Sequence, residues 1–232
     1  MCGRYAASRD AVEVGGLFRA EQLPDVELPP RYNVAPTAES YIVLDHDGTR
    51  AVDIARWGLV PSWSKDASRA SRMINARSET VAEKPAYRSA FKRRRCLVPV
   101  DGYYEWQVAG TSAPKQPFFI HAENDTPLAL AGLYEDWDGP NGSMRTFTML
   151  TQEPPSWLGR IHDRMPVIVQ SDRWQPWLST ETSEADLDGL LADITRHSAQ
   201  DLQAYPVATL VNRASHEGPH LTESIGPPVA VG

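Results

Sequence analysis

Cys96-Leu97-Val98-Pro99-Val100-Asp101-Gly102-Tyr103-Tyr104-Glu105-Trp106 reads as a buried apolar strand, an Asp-Gly turn and the start of a second, aromatic strand. The same alternation of short strand and turn continues on both sides. Downstream, strand signals fall at Phe118 to Ile120, Leu128 to Tyr134 and Arg145 to Leu150, the last after the turn Gly139-Pro140-Asn141-Gly142. Upstream, Tyr41 to Leu44 and Ala51 to Ile54 flank His46-Asp47-Gly48-Thr49, where Asp-Gly is a strong hairpin signal. Helical signals sit at the margins: Ser8 to Phe18, Ser78 to Lys84, Ala86 to Lys92, Pro155 to Leu158, Asp172 to Leu178 and Ser183 to Leu191. Arg31 to Thr37 reads as extended, because Pro36 disfavours helix before it, and Arg56 to Trp63 is too rich in Gly, Pro and Trp for regular structure. The fold class expected is α+β: a mixed, largely antiparallel sheet or barrel-like core flanked by short helices.

At 232 residues the chain suits one domain over 1–232, with a loosely ordered tail from about residue 213 that is rich in Pro, Gly and His. A hydrophobic content of 41% and a charged content of 23% are ordinary for a globular protein. No stretch reaches the ~20 apolar residues of a membrane span, and no signal peptide opens the chain. Two cysteines, Cys2 and Cys96, without a CxxC pair exclude a disulfide scaffold and suit a reducing compartment, so a cytoplasmic protein is expected. The six histidines lack metal-site spacing, and neither a Walker nor a dinucleotide fingerprint occurs, so no metal or cofactor is expected.

The net charge of −7 hides an uneven distribution. Residues 56–95 carry 11 basic and 3 acidic side chains, whereas residues 96–232 carry 7 and 18. Such a block can set up a positive field on an acidic protein, and a solvated helical face explains it equally well.

The chemistry-bearing residues begin at Cys2. A small second residue normally lets the initiator Met be removed, which leaves Cys2 with an α-amine (pKa ~8) and a thiol (~8.5) on adjacent carbons. That 1,2-aminothiol condenses with an aldehyde to an imine and closes a five-membered thiazolidine. Glu105, between Tyr104 and Trp106, is expected to be desolvated and raised in pKa, as a general acid–base requires; a salt-bridged strand carboxylate is the alternative. His162 suits a proton shuttle or a structural hydrogen bond. Asn75 and Arg77 lie two apart, so on an extended stretch they face the same way, as a pair fit for a sugar oxygen beside a phosphate. Trp57 and Trp63 are candidate platforms for stacked bases.

Seven segments together, Cys2 to Tyr5, Arg31 to Thr37, Arg56 to Pro61, Asn75 to Thr80, Arg95 to Pro99, Gly102 to Trp106 and His162 to Pro166, resemble the SRAP (SOS response-associated peptidase) family. The resemblance covers the chain from Cys2 to about residue 212. It implies an enzyme that recognises abasic sites in single-stranded DNA and bonds the sugar aldehyde through the α-amine and thiol of Cys2. By similarity Glu105 would move protons, His162 would help open the deoxyribose ring, and Asn75 would hold the sugar. Arg4 and Arg77 would bind flanking phosphates, and Asn33 would join the DNA-binding set. The alternatives are an N-terminal-Cys peptidase, which needs an oxyanion hole that no motif supplies, and a non-catalytic single-strand binding module. A monomer is the expected state.

Overall fold

The computed structural model describes residues 2–46, 48–107, 115–140 and 142–230. Twelve strands are found among them: β1 (Tyr5–Ala7), β2 (Arg31–Val34), β3 (Glu39–His46), β4 (Thr49–Trp57), β5 (Asn75–Arg77), β6 (Arg95–Val100), β7 (Gly102–Gln107), β8 (Gln116–Ala122), β9 (Leu128–Gly139), β10 (Gly142–Gln152), β11 (Met165–Pro166) and β12 (Leu202–Pro206). The helices are α1 (Ala11–Phe18), α2 (Arg88–Arg93), α3 (Ser156–Gly159), α4 (Trp174–Leu178) and α5 (Glu184–His197).

The strands form two sheets. One runs β12-β8-β7-β1-β2; the other runs β11-β10-β4-β3-β6-β9, and pairing of β9 with β10 closes β10, β4, β3, β6 and β9 into a five-stranded barrel. Most pairings are antiparallel, but β10 runs parallel to β4 and β5, so the sheet is mixed as expected.

The Asp101-Gly102 turn is a corner between sheets. β6 pairs with β3 and β9 in the barrel, whereas β7 pairs with β1 and β8 in the open sheet. Asp101 fastens the corner to β1: its backbone N–H donates to Ala6 O (2.8 Å), and its carboxylate accepts from Ser8 N (2.7 Å) and Arg9 Nη1 (2.6 Å). Gly102 is required by proximity, since a Cβ there would lie 2.4 Å from the Phe119 ring and 2.7 Å from Ile120 O.

Alternation with period two buries both faces of the barrel strands. Ile42 and Leu44 join a core with Tyr5, Trp57, Tyr103 and Phe147, while Tyr41 and Val43 face a second core with α1, α2, α4 and α5. Asp10 caps α1 in a capping box with Glu13, and Ser183 caps α5. The expected hairpin pairs His46 with Thr49; Asp47 itself, like Asn141 in the later turn, lies outside the described residues.

Three local expectations change. Ser78 does not cap an α-helix; Ser78–Thr80 is a single 3-10 turn without a side-chain cap. The irregular Arg56 to Trp63 stretch begins inside β4, and Gly58 then takes φ +125° with Ala70 O 2.5 Å from where a Cβ would stand. The tail is tied down through its described residues: Leu221 is fully buried, Glu217 accepts from Arg31 Nε and Tyr32 N, and Val229 N donates to Ala204 O.

Candidate active site

β1 places the start of the chain. It pairs antiparallel with β7 at Tyr5 and Tyr103, and Tyr104 N donates to Arg4 O (2.9 Å), so the residues before β1 run back along β7 toward Glu105. Cys2 is fully buried in the core between the sheets. Its carbonyl accepts from Asn75 Nδ2 at 2.7 Å, and its Sγ lies 3.9 Å from Arg4 O. Burial pushes the Cys2 thiol well above the ordinary range, with the Glu105 charge adding in the same direction. The partial thiolate expected of an exposed terminus is therefore suppressed; the thiol is neutral at pH 7 and must pass its proton to a neighbour when it attacks.

Glu105 sits on β7 opposite Phe118 and is 3% exposed. Burial pushes its carboxyl up to about 7, the desolvation expected of a carboxylate between aromatics. His162 follows α3, in a turn where its N–H donates to Leu158 O (3.1 Å). Its Nε2 is 3.9 Å from Glu105 Oε2, and its Nδ1 lies 3.0 Å from the donating Arg164 N and 2.9 Å from Asp163 Oδ1. Burial lowers the His162 pKa. The Nε2 edge of the ring faces Glu105, while Nδ1 lies between the Arg164 N–H and the Asp163 carboxylate.

Asn75 and Arg77 do share one side of β5, with Ala76 buried on the other. Asn75 Oδ1 is buried without a hydrogen bond among the described residues, while Arg77 is exposed. The β5 segment is locked to the His162 turn, because Arg164 makes two hydrogen bonds to Glu79 (2.8 and 2.9 Å) and one to Thr151 O (2.6 Å). Tyr87 OH further donates to Asn75 O (3.4 Å).

Glu105 and His162, with Arg4, line a cleft of about 970 Å³, whereas Cys2, Asn75 and Arg77 are not among its lining residues. Trp106, Lys115, Arg160, Asp163 and Asn212 also line it and were not singled out from the sequence. Arg160 and Asp163 flank His162, so proximity in the chain was a usable signal; Lys115 and Asn212 come from remote segments and left none. Among the described residues no three His, Cys, Asp or Glu side chains converge to hold a metal, and no helix is long and apolar enough to cross a membrane.

Two expected DNA contacts are corrected. Trp57 is fully buried, packs 5.0 Å from Tyr5 and donates from Nε1 to Ile74 O (2.9 Å), so its ring supports the site from behind. Asn33 is also fully buried, bonded to Arg4 and to three carbonyls of the C-terminal segment. Trp63, by contrast, is 69% exposed.

The basic block divides in the same way. Arg95 is 2% exposed and spends its guanidinium on carbonyls of Phe91, Lys92, Trp177 and Ser179. Arg94 pairs with Glu135 and Lys92 with Glu184, while Lys65, Arg69, Arg72 and Arg77 remain exposed.

The model of the family described as SOS response associated peptidase (SRAP) matches residues 1–214. The chain belongs to the SRAP family. Among SRAP relatives, the abasic site processing protein YoqW of Bacillus subtilis is 37% identical over 227 residues, covering 97% of this chain and all of that one (100%). The abasic site processing protein HMCES of Xenopus tropicalis is 33% identical, over 85% of this chain and 69% of its own. A crystal structure of a Bacteroides thetaiotaomicron protein superposes with a TM-score of 0.83 at 26% identity, covering 96% of this chain and 99% of the other.

Proposed function

We propose that this chain processes abasic sites in DNA, and that it does so by covalent capture of the lesion in single-stranded DNA through Cys2 after removal of Met1. The observation that carries the reading is the meeting, at the cleft, of a carboxyl held near neutrality on Glu105 with the His162 ring, beside a buried Cys2 whose thiol feels the Glu105 charge. The names of the SRAP relatives and the 1–214 family match support abasic-site processing as the activity.

An abasic site is mostly a closed hemiacetal, and its missing base lowers the cost of drawing the sugar out of the stack. His162 and Glu105 flank the position where C1′ must lie, and proton transfer between them and the ring oxygen opens the aldehyde. The Cys2 α-amine adds to C1′, and Glu105 protonates the leaving hydroxyl as water departs and the imine forms. The thiol then adds to the imine carbon, its proton passing through Glu105 to the nitrogen. The balance is one amine, one thiol and one aldehyde giving one thiazolidine and one water. A carboxyl at about 7 serves both directions, because it is populated in both protonation states near neutral pH. Asn75 holds Cys2 by its Nδ2 and offers Oδ1 to a sugar hydroxyl. Arg4 and Arg77 contact phosphates, and Trp63 stacks on a neighbouring base.

Intact-mass spectrometry tests the reading. Protein lacking Met1 is incubated with single-stranded DNA bearing one abasic site, with Cys2→Ala and an intact oligonucleotide as controls. A gain of the DNA mass less one water, absent from both controls, is expected. No adduct from the Met1-free protein sinks covalent capture and favours the peptidase or the binding module.

A further inference from the structure

Arg4 lines the cleft, yet one edge of its guanidinium is already committed. Nη1 donates to Asn33 Oδ1 (2.8 Å) and to Val211 O (3.0 Å). Nε is buried without a hydrogen bond among the described residues, and the plane lies 6.0 Å from the Trp106 ring. Among the described residues no hydrogen bond is found for Nη2, the atom left for an incoming phosphate.

The acceptors that hold Nη1 come from the C-terminal segment. Asn33 Nδ2 donates to Val211 O (3.3 Å), Arg213 O (3.0 Å) and His216 O (2.9 Å), so one buried amide joins Arg4 to three successive points of the tail. Asn212, between two of them, accepts from Trp106 Nε1 (2.7 Å) and lines the cleft. The segment is pinned beyond that point. Glu217 accepts from Arg31 Nε (2.7 Å) and Tyr32 N (2.8 Å) on the strand that carries Asn33, Leu221 is fully buried, and Tyr205 OH donates to Thr222 O (2.8 Å). Much of this anchoring lies past residue 214, where the family match ends.

We propose that residues 211–222 form a positioning strap which, through Asn33, fixes Arg4 with Nη2 presented to a DNA phosphate, so that the segment beyond residue 214 sets DNA affinity without touching DNA. The inference rests on the proposed function for the identity of the ligand. Its physical basis is preorganisation: a free arginine loses rotamer entropy when it binds a phosphate, and a guanidinium already held at one edge has lost it beforehand. Asn33 and Glu217 are positioning residues here, acting through Arg4.

The test uses the full chain and single-stranded DNA carrying a tetrahydrofuran, an abasic analogue with no aldehyde, so that binding is read apart from capture. Glu217→Ala is the main variant, being on the surface and outside the cleft. It should weaken binding by about three- to tenfold, the net size of one ordinary hydrogen bond. The crosslinking rate at saturating abasic DNA should stay within about twofold. In an Arg4→Ala background Glu217→Ala should have no further effect, and Asn33→Ala should behave likewise if it folds by circular dichroism; if it does not, Glu217→Ala decides alone. Unchanged affinity in Glu217→Ala, or an equal loss with and without Arg4, overturns the strap. Hydrogen exchange of the Trp106 indole gives a readout without DNA: it should quicken in Glu217→Ala, and an unchanged rate also overturns the proposal. A wild-type protein that captures no abasic DNA sinks the functional reading instead, with the indole result still deciding the strap.

Discussion

Replacing Glu105 by Gln should stabilise the protein as it removes proton transfer, by an amount that depends on pH. The wild-type carboxyl titrates at about 7 in the fold against 4.5 ordinarily, chiefly because burial disfavours its charge. Between those values the folded state binds more protons than the unfolded chain, so stability falls as pH rises through the window and levels off above it. The difference corresponds to about 3 kcal/mol at pH 8 and roughly 1 kcal/mol at pH 5. Gln has nearly the same shape and no charge to desolvate, so it escapes this cost. At ~2–4 °C per kcal/mol for a chain of this size, Glu105→Gln should melt about 6–12 °C above wild type at pH 8. The gap should shrink by about two thirds at pH 5. Calorimetric or circular-dichroism melts across that range measure it, and comparing the two pH values cancels any fixed packing cost of the amide. In parallel, capture of abasic DNA should drop by about 10²-fold or more, the usual worth of a positioned acid–base. A melting gap of the same size at both pH values would refute the reasoning, because the carboxyl would then not be ionising at a cost to the fold.

Three further outcomes follow from the geometry. Trp57→Ala should lose about 3–5 kcal/mol of stability in chemical denaturation, since a fully buried ring leaves a cavity, whereas Trp63→Ala should leave stability unchanged and weaken single-strand binding by ~1–3 kcal/mol; equal melting losses would show that the two are not divided between core and surface. Asp101→Ala should cost about 1–3 kcal/mol in urea unfolding, because Ser8 N and Arg9 lose their acceptor at the corner between sheets. Binding to single-stranded DNA should weaken with salt at a log–log slope of about −1 to −2, as the two phosphate contacts of Arg4 and Arg77 would give, since Arg94 and Arg95 of the basic run are spent on Glu135 and on backbone carbonyls; a slope near zero contradicts phosphate recognition.

Local signals fared best where one residue dictates its own conformation or solvation. The helix ending at Phe18, the turn before Thr49 and the desolvation of Glu105 between two aromatics could all be read along the chain, because each depends on neighbours within a few residues. Tryptophan was ambiguous: the same residue type fills a core at Trp57 and stands in solvent at Trp63, and neither flanking sequence separates the two. The tail misled for a related reason. Its Pro, Gly and His content resembles a linker, but its carbonyls find Asn33, a partner 178 to 183 positions away.

The sequence by itself determined the strand-rich α+β class and the family, and it singled out Cys2, Asn75, Glu105 and His162 as the candidates, since residue chemistry and spacing are properties of the chain. Only the tertiary structure decided that Asp101-Gly102 turns between two sheets, that Cys2 is buried with its thiol pKa raised, and that Asn33 is bonded to Arg4 and the C-terminal segment. Each of these depends on which distant backbone groups close around a side chain. Burial and hydrogen-bond partners are set by packing in three dimensions, which no local pattern encodes.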